Sequence, residues 1–141
     1  MLRLSQKYPG KRAFITGAAG GLGSAFALEL AQDGWKIAMA DLNFEKLKEA
    51  AAKVISAGAE VEIYSFDVTD HSQFKLALED FEQKVGAIDF AINSAGLGCG
   101  GYIDELPIEI FRKIIDVNLM GTINGCHLFV PSMKRQRTGH I

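Results

Sequence analysis

The stretch that most constrains this chain is "FITGAAGGLGSAFALEL", Phe14 to Leu30, where a short apolar run passes through four glycines into an amphipathic run. Glycine inside an element costs roughly 0.5–1 kcal/mol relative to alanine, so a cluster needs an offsetting gain. The usual gain is close approach of the backbone to a ligand. Here Gly17 permits a tight turn, Gly20 and Gly21 leave the main chain bare, and Gly23 lets the next helix lie close on the strand. The first N–H groups of a helix are unpaired and partly positive, and an anion can complete them where no side chain intervenes. The turn therefore suits a diphosphate; the alternative is a flexible loop that is merely rich in glycine.

Short apolar runs alternate with longer amphipathic ones along the rest of the chain. Strands are predicted at 12–16, 36–41, 60–66 and 88–93. The first helix is expected to bury Leu22, Phe26 and Leu30 and stop at Gly34; the second, capped by Asn43, to turn Leu47, Ala51, Val54 and Ile55 inward before Gly58. Thr69 or Asp70 caps a third, with Phe74, Leu78, Phe81 and Val85 at helical spacing before Gly86. Pro107 suits the first position of a fourth. The run from Ile108 to Met133 is too long for one average helix and should divide or kink near Asn118 to Gly121. Strictly alternating strands and helices imply an α/β fold: a parallel, doubly wound sheet between helical layers, in strand order 3-2-1-4.

A formal charge of −2 argues against a nucleic-acid or anionic-membrane partner, and "KRQR" at 134–137 reads as the solvated last turn of a helix. No apolar run is long enough to span a membrane. Cys99 and Cys126 lie far apart and "MLRLSQKYPGKR" lacks the apolar core of a secretory signal, so a reducing, cytoplasmic setting is expected. His71, His127 and His140 show no metal-ligand spacing, which leaves them structural roles; Cys99 could face a substrate or be a passive small residue.

Asp41 closes the second strand eighteen positions past Gly23. A carboxylate there can accept from a ribose diol and would repel a 2'-phosphate, and neither Ala18, Ala19 nor Leu42 offers that phosphate a cation. NAD is therefore preferred over NADP; the other reading of Asp41 is a strand-end or helix-cap carboxylate.

Four segments in order resemble the motifs of the short-chain dehydrogenase/reductase family, from about Gly10 to the last residue. "TGAAGGLG" is similar to its cofactor fingerprint, with three residues between Gly17 and Gly21. "FDVTD" sets Asp67 and Val68 where the family holds adenine. "NSAG", Asn93 to Gly96, resembles its N-N-A-G near the nicotinamide ribose, with Ser94 in place of the second asparagine. "DVNLMG" puts Asn118 where the family uses an asparagine to distort a helix and hold a water in a proton relay; a helix-bending polar residue without chemistry is the other reading. The resemblance implies a Rossmann-type domain over 1–141. Its candidate cofactor residues are Gly17, Gly20, Gly21, Leu22, Gly23, Asp41, Leu42, Asp67, Val68, Asn93, Ala95 and Gly96, with Asn118 as the catalytic candidate.

The resemblance also implies hydride transfer between a nicotinamide and an alcohol or carbonyl substrate, by a serine, a tyrosine and a lysine four residues beyond it. Tyr8, Tyr64 and Tyr102 are followed at that spacing by Arg12, Val68 and Leu106, so no Y-x-x-x-K occurs. The expectation is an incomplete domain, the N-terminal part of a longer enzyme, with a fifth strand starting at "TGHI" and no activity alone. An enzyme of this family implies a homo-oligomer, dimer or tetramer, with the helix at 118–135 at the interface. The alternative is a non-catalytic dinucleotide-binding module or partner subunit. A methyltransferase fits less well, because its glycine turn usually follows an acidic residue, and Ile15 and Thr16 stand there.

Overall fold

Residues 4–141 are described by a computed structural model; the part of the leader reading that falls on residues 1–3 lies outside the described residues. A short α1 (Leu4–Lys7) precedes β1 (Arg12–Thr16), α2 (Gly21–Gln32), β2 (Lys36–Asp41), α3 (Phe44–Ser56), β3 (Glu60–Ser65), α4 (His71–Val85) and β4 (Phe90–Asn93). Helix α5 (Ile108–Ile115) then runs through a wide π-helical turn at Asp116–Met120 into α6 (Gly121–Gln136). The four strands are parallel in the order β3-β2-β1-β4, as the alternation predicts.

Alternation along β1 divides the core. Ala13 and Ile15 face α2 and α3, packing with Leu30, Leu47 and Val54, while Phe14 faces α4 and α6. Phe14 is paired in register with Ala38 on β2 and Ala91 on β4. Small neighbours on both sides leave its ring room to meet Phe74 and Phe129 at centroid separations of 5.6 and 5.5 Å. Both sheet faces are thus covered, as a parallel sheet requires.

Helix α4 buries Phe74, Leu78 and Phe81 as expected, and the buried face departs from expectation at Leu22, Phe26 and Ile55. Helix α2 buries Gly23, Ala27, Leu30 and Ala31, and Leu22 and Phe26 face outward. Gly23 sets that phase: a Cβ on it would collide with the Gly17 carbonyl and come within 2.9 Å of the Ala18 Cα. Ala27 and Ala31, one and two turns on, then face the sheet with Leu30, and the two alanines are small enough for close packing. In α3 Leu47, Ala50, Ala51 and Val54 are buried, whereas Ile55 is turned out.

Asn43 caps α3 as expected, accepting from the Lys46 N–H, and Asp70 rather than Thr69 caps α4, accepting from Ser72 and Gln73. Pro107 stands one place before the helix, extended at ψ 138°, and not at its first position. Strand β3 stops at Ser65 because its partner β2 stops at Asp41. Strand β4 starts at Phe90, not residue 88: the Ile88 N–H is taken by Glu82 Oε1 and its carbonyl by Gln136 Nε2, so neither joins a ladder. On the open edge of β4, the His140 N–H donates to the Asp89 carbonyl and its carbonyl accepts from the Ala91 N–H, an isolated parallel bridge to Phe90.

Candidate functional site

The C-terminal ends of β1, β2 and β4 converge on a cleft of about 250 Å³. One wall is the crossover turn, represented by Gly17 and Gly20. Gly17 adopts φ +65°, and a Cβ on it would lie 2.6 Å from the Ser94 carbonyl, so the first and fourth crossovers can pack together only around glycine. Buried Thr16 bonds the same pair of loops, its Oγ1 accepting from the Ser94 and Ala95 N–H groups at 3.2 and 3.3 Å. The sequence signal for Thr16 was only its place before the first glycine.

Gly20 is the N-cap of α2, and no side chain caps that end. The first turn, Gly21 to Gly23, has backbone donors without intrahelical partners. A Cβ on Gly21 would meet nothing within 4 Å, so local packing does not require a glycine there. Leu22 is exposed beside it.

Asp41 and Leu42 form the second wall. Asp41 Oδ2 accepts from the Ala19 N–H at 3.0 Å and Oδ1 from the Asn43 N–H at 2.9 Å. One carboxylate thus braces both the glycine turn and the start of α3, and each oxygen keeps a further lone pair. Phe66, Asp67 and Val68 make the third wall, faced by Lys113 and Val117 one helical turn apart. The two latter residues had no distinguishing sequence signal. Asp67 Oδ1 accepts from both the N–H and the hydroxyl of Thr69, which stiffens this wall internally.

Ala95, Gly96 and Leu97 close the fourth side. Asn118, at the centre of the π-turn, holds that segment through Leu97, and Gly96 runs past it with space for a Cβ only 3.4 Å from Asn118 Oδ1. Asn93 is not part of the cleft lining: its Nδ2 donates to Cys126 Sγ at 3.6 Å and its buried Oδ1 has no protein partner. The side chain lies against α6 at Gly125, where any Cβ would collide with it.

No tyrosine lines the cleft. Tyr8 is buried beside Phe90, Tyr102 is exposed, and Tyr64 donates to Asp80 at 2.7 Å on the far side of β3. Burial, reinforced by that carboxylate, pushes the Tyr64 hydroxyl well above the usual phenol range. Two of the three histidines that look scattered in sequence do meet, His71 Nε2 lying 3.2 Å from His127 Nδ1. Among the described residues, no helix is long and apolar enough to cross a membrane.

The sequence model of the short chain dehydrogenases matches residues 11–141. The 3-oxoacyl-(acyl-carrier-protein) reductase FabG of Thermotoga maritima is 36% identical over 132 residues, which cover 94% of this chain and 54% of that protein. Cyclohexanol dehydrogenase of an Acinetobacter strain is 34% identical over 139 residues, covering 98% and 55%. A crystal structure of NAD+-bound xylitol dehydrogenase superposes with a TM-score of 0.88 at 33% identity, over 92% of this chain and 50% of that one. A short chain dehydrogenase/reductase from Burkholderia phymatum in complex with NAD gives 0.87 at 33%, over 92% and 46%. The chain spans about half the length of the curated relatives it matches. A parallel sheet in this order, a glycine crossover opening onto a cleft and a family match over nearly all residues agree: the chain belongs to the short-chain dehydrogenase family.

Proposed function

We propose that these residues form the dinucleotide-holding part of an NAD(H)-dependent oxidoreductase that moves hydride between a nicotinamide and an alcohol or carbonyl substrate. The observation that carries this reading is the uncapped first turn of α2, opening beside a cleft rimmed by Asp41. The residues fit the group: Gly21 and Leu22 offer backbone donors to a pyrophosphate, the Gly20 N–H being used within the turn on the Gly17 carbonyl, and nothing occupies the space a side chain on Gly21 would fill. Asp41 accepts from the adenosine ribose and repels a 2'-phosphate, which favours NAD over NADP. Asp67 and Val68 bound the adenine, Ala95 and Gly96 the nicotinamide ribose, and Asn118 keeps the latter segment in place through Leu97.

A bound nicotinamide supplies the two-electron acceptor or donor. The substrate class is supported by the names of relatives, which cite a 3-oxoacyl group, cyclohexanol and xylitol. Proton transfer needs a positioned acid or base; the family resemblance implies a tyrosine with a lysine four residues on for that role, and no Y-x-x-x-K occurs in these 141 residues, so on this reading they bind cofactor without turning substrate over. Assembly as a homo-oligomer through the helix at 118–135 is supported by apolar Leu119, Met120 and Ile123, which are exposed along it, and a cytoplasmic setting rests on the cysteine usage alone. The absence of a tyrosine from the cleft favours a second reading, a non-catalytic dinucleotide-binding module or partner subunit.

Calorimetric titration with NAD+ and NADP+ tests the first reading. Binding of NAD+ at least about tenfold tighter is expected; no heat from either ligand on a folded preparation would overturn it. Assays with alcohols and ketones, on these residues and on a longer chain carrying a Y-x-x-x-K, separate the two readings.

A further inference from the structure

We infer that Asn124 and the His71–His127 pair are positioning residues for the cofactor: from α6 they hold the Asp67–Val68 wall at the depth an adenosine requires. The inference rests on the dinucleotide reading above and adds residues that no motif in the sequence marks. Asn124 Nδ2 donates to the Val68 carbonyl at 2.9 Å and reaches the Thr69 carbonyl at 3.4 Å. One turn on, His127 Nδ1 meets His71 Nε2 at 3.2 Å, at the first residue of α4. One turn back, Gly121 lets α6 come so close that a Cβ there would stand 2.6 Å from Val68 Cγ2.

Three contacts spaced three residues apart thus fall on one stripe of α6, and all address the segment 68–71. That segment is stiff within itself, since Asp67 ties Thr69 and Asp70 caps α4. It therefore moves as a unit together with the start of α4, whose Gln73 Nε2 donates to Asp70, and among the described residues the side-chain hydrogen bonds that reach 67–70 from outside this segment and α4 are those of Asn124. When a binding-competent arrangement is populated only part of the time, apparent affinity falls by that fraction. Releasing one hydrogen bond, at its usual net value, shifts such a balance by about fivefold.

The test compares the unaltered chain with Asn124→Leu, His127→Ala and His127→Asn, the last keeping a polar group near the Nδ1 position. Calorimetry with ADP-ribose and hydrogen exchange at the 67–71 amides are read on each, beside thermal melting. Asn124→Leu is expected to raise the ADP-ribose Kd about fivefold and to speed exchange at 67–70 by a similar factor, with His127→Asn near the unaltered values. An unchanged Kd together with unchanged exchange in Asn124→Leu overturns the inference. Should that variant not fold, His127→Ala decides by the same two readouts. If the unaltered chain binds no ADP-ribose, the dinucleotide reading falls, and exchange alone decides whether α6 holds the wall: faster exchange supports it, unchanged exchange overturns it.

Discussion

The side-chain amide of Asn118 pairs at two points with the backbone of Leu97, its Oδ1 accepting from the Leu97 N–H at 2.7 Å and its Nδ2 donating to the Leu97 carbonyl at 2.9 Å. The pair reproduces one step of a backbone ladder, between a loop that has no strand beside it and a helix that cannot supply one. The π-turn presents Asn118 at this point, and the Thr122 hydroxyl accommodates the Asn118 carbonyl at 2.7 Å. Asn118→Leu strands both Leu97 groups and is expected to cost about 1–2 kcal/mol in urea unfolding, with weaker NAD+ binding. Equal stability and equal affinity would show that the loop is held by other means.

Gly21 and Gly23 are expected to separate binding from folding. Gly23→Ala forces a methyl group into the Gly17 carbonyl, a destabilisation of about 1–3 kcal/mol. Gly21→Ala meets open space and adds helix propensity, so stability should hold or rise by roughly 0.5–1 kcal/mol. Its affinity for NAD+ should nevertheless fall, by about tenfold or more, because the methyl group enters the space that the proposed function gives to the pyrophosphate. Thermal melts and calorimetry on the two variants read the contrast directly.

In the proposed function the cofactor preference rests on Asp41. Asp41→Asn removes the charge facing a 2'-phosphate and keeps one oxygen acceptor, enough for one of the two N–H groups, of Ala19 and Asn43, that the carboxylate now serves. The ratio of NADP+ to NAD+ dissociation constants is expected to drop by about tenfold or more, read from paired titrations. A ratio that does not move would assign discrimination to another residue.

At the opposite end of the sheet, Asp89 is buried and bonded twice to the Arg12 guanidinium, at 2.9 and 3.1 Å, and once to the Arg12 N–H. Removing one member of such a pair leaves the other without its partner. Asp89→Ala should cost about 3 kcal/mol of unfolding free energy, measured in urea. The cleft is distant from this pair, so cofactor affinity of the folded fraction should be unchanged.

The Tyr64, Asp80 and Lys84 cluster sets a pH window. Hydrogen bonds from Lys84 and then Tyr64 hold the Asp80 carboxyl below its usual range. A lowered folded value contributes stability above the ordinary carboxylate range, and that contribution is lost as pH falls through the folded value. Lys84 is shifted upward, first by its bond to Asp80 and then by that to Glu62, and Tyr64 upward by burial. Their contributions are complete below the ordinary values of 10.5 and 10.0 and fade as pH rises through the folded ones. The melting-temperature gap between the unaltered chain and Asp80→Ala should therefore be flat from about pH 5 to 9 and close on acidification.

Much of the site was legible because its parts are local. The spacing of Gly17, Gly21 and Gly23 marks a crossover in any setting, and Asp41 follows from the length of one helix and one strand. Asn118 was legible as a kink for the same reason. Thr16, Lys113 and Asn124 were not, since a threonine before a glycine, a lysine on an amphipathic helix and an asparagine in a helix have many roles until their neighbours are known. Asn93 shows the converse: its motif is local, but the direction of its side chain depends on Gly125 of α6.

The sequence by itself determined the order of strands and helices and the position of the glycine crossover turn, because hydrophobic period and glycine placement act within a few residues. Only the tertiary structure decided helix phase and polar pairing. Leu22 and Phe26 lie outward because the close approach of Gly23 to the Gly17–Ala18 backbone sets the phase of α2, and Ile55 lies outward beside the buried Val54. The bonds of Asn118 to Leu97 and Asn124 to Val68 join residues 21 and 56 positions apart. Their lengths are set by how closely helices and loops approach once the core has closed, and no local pattern carries that distance.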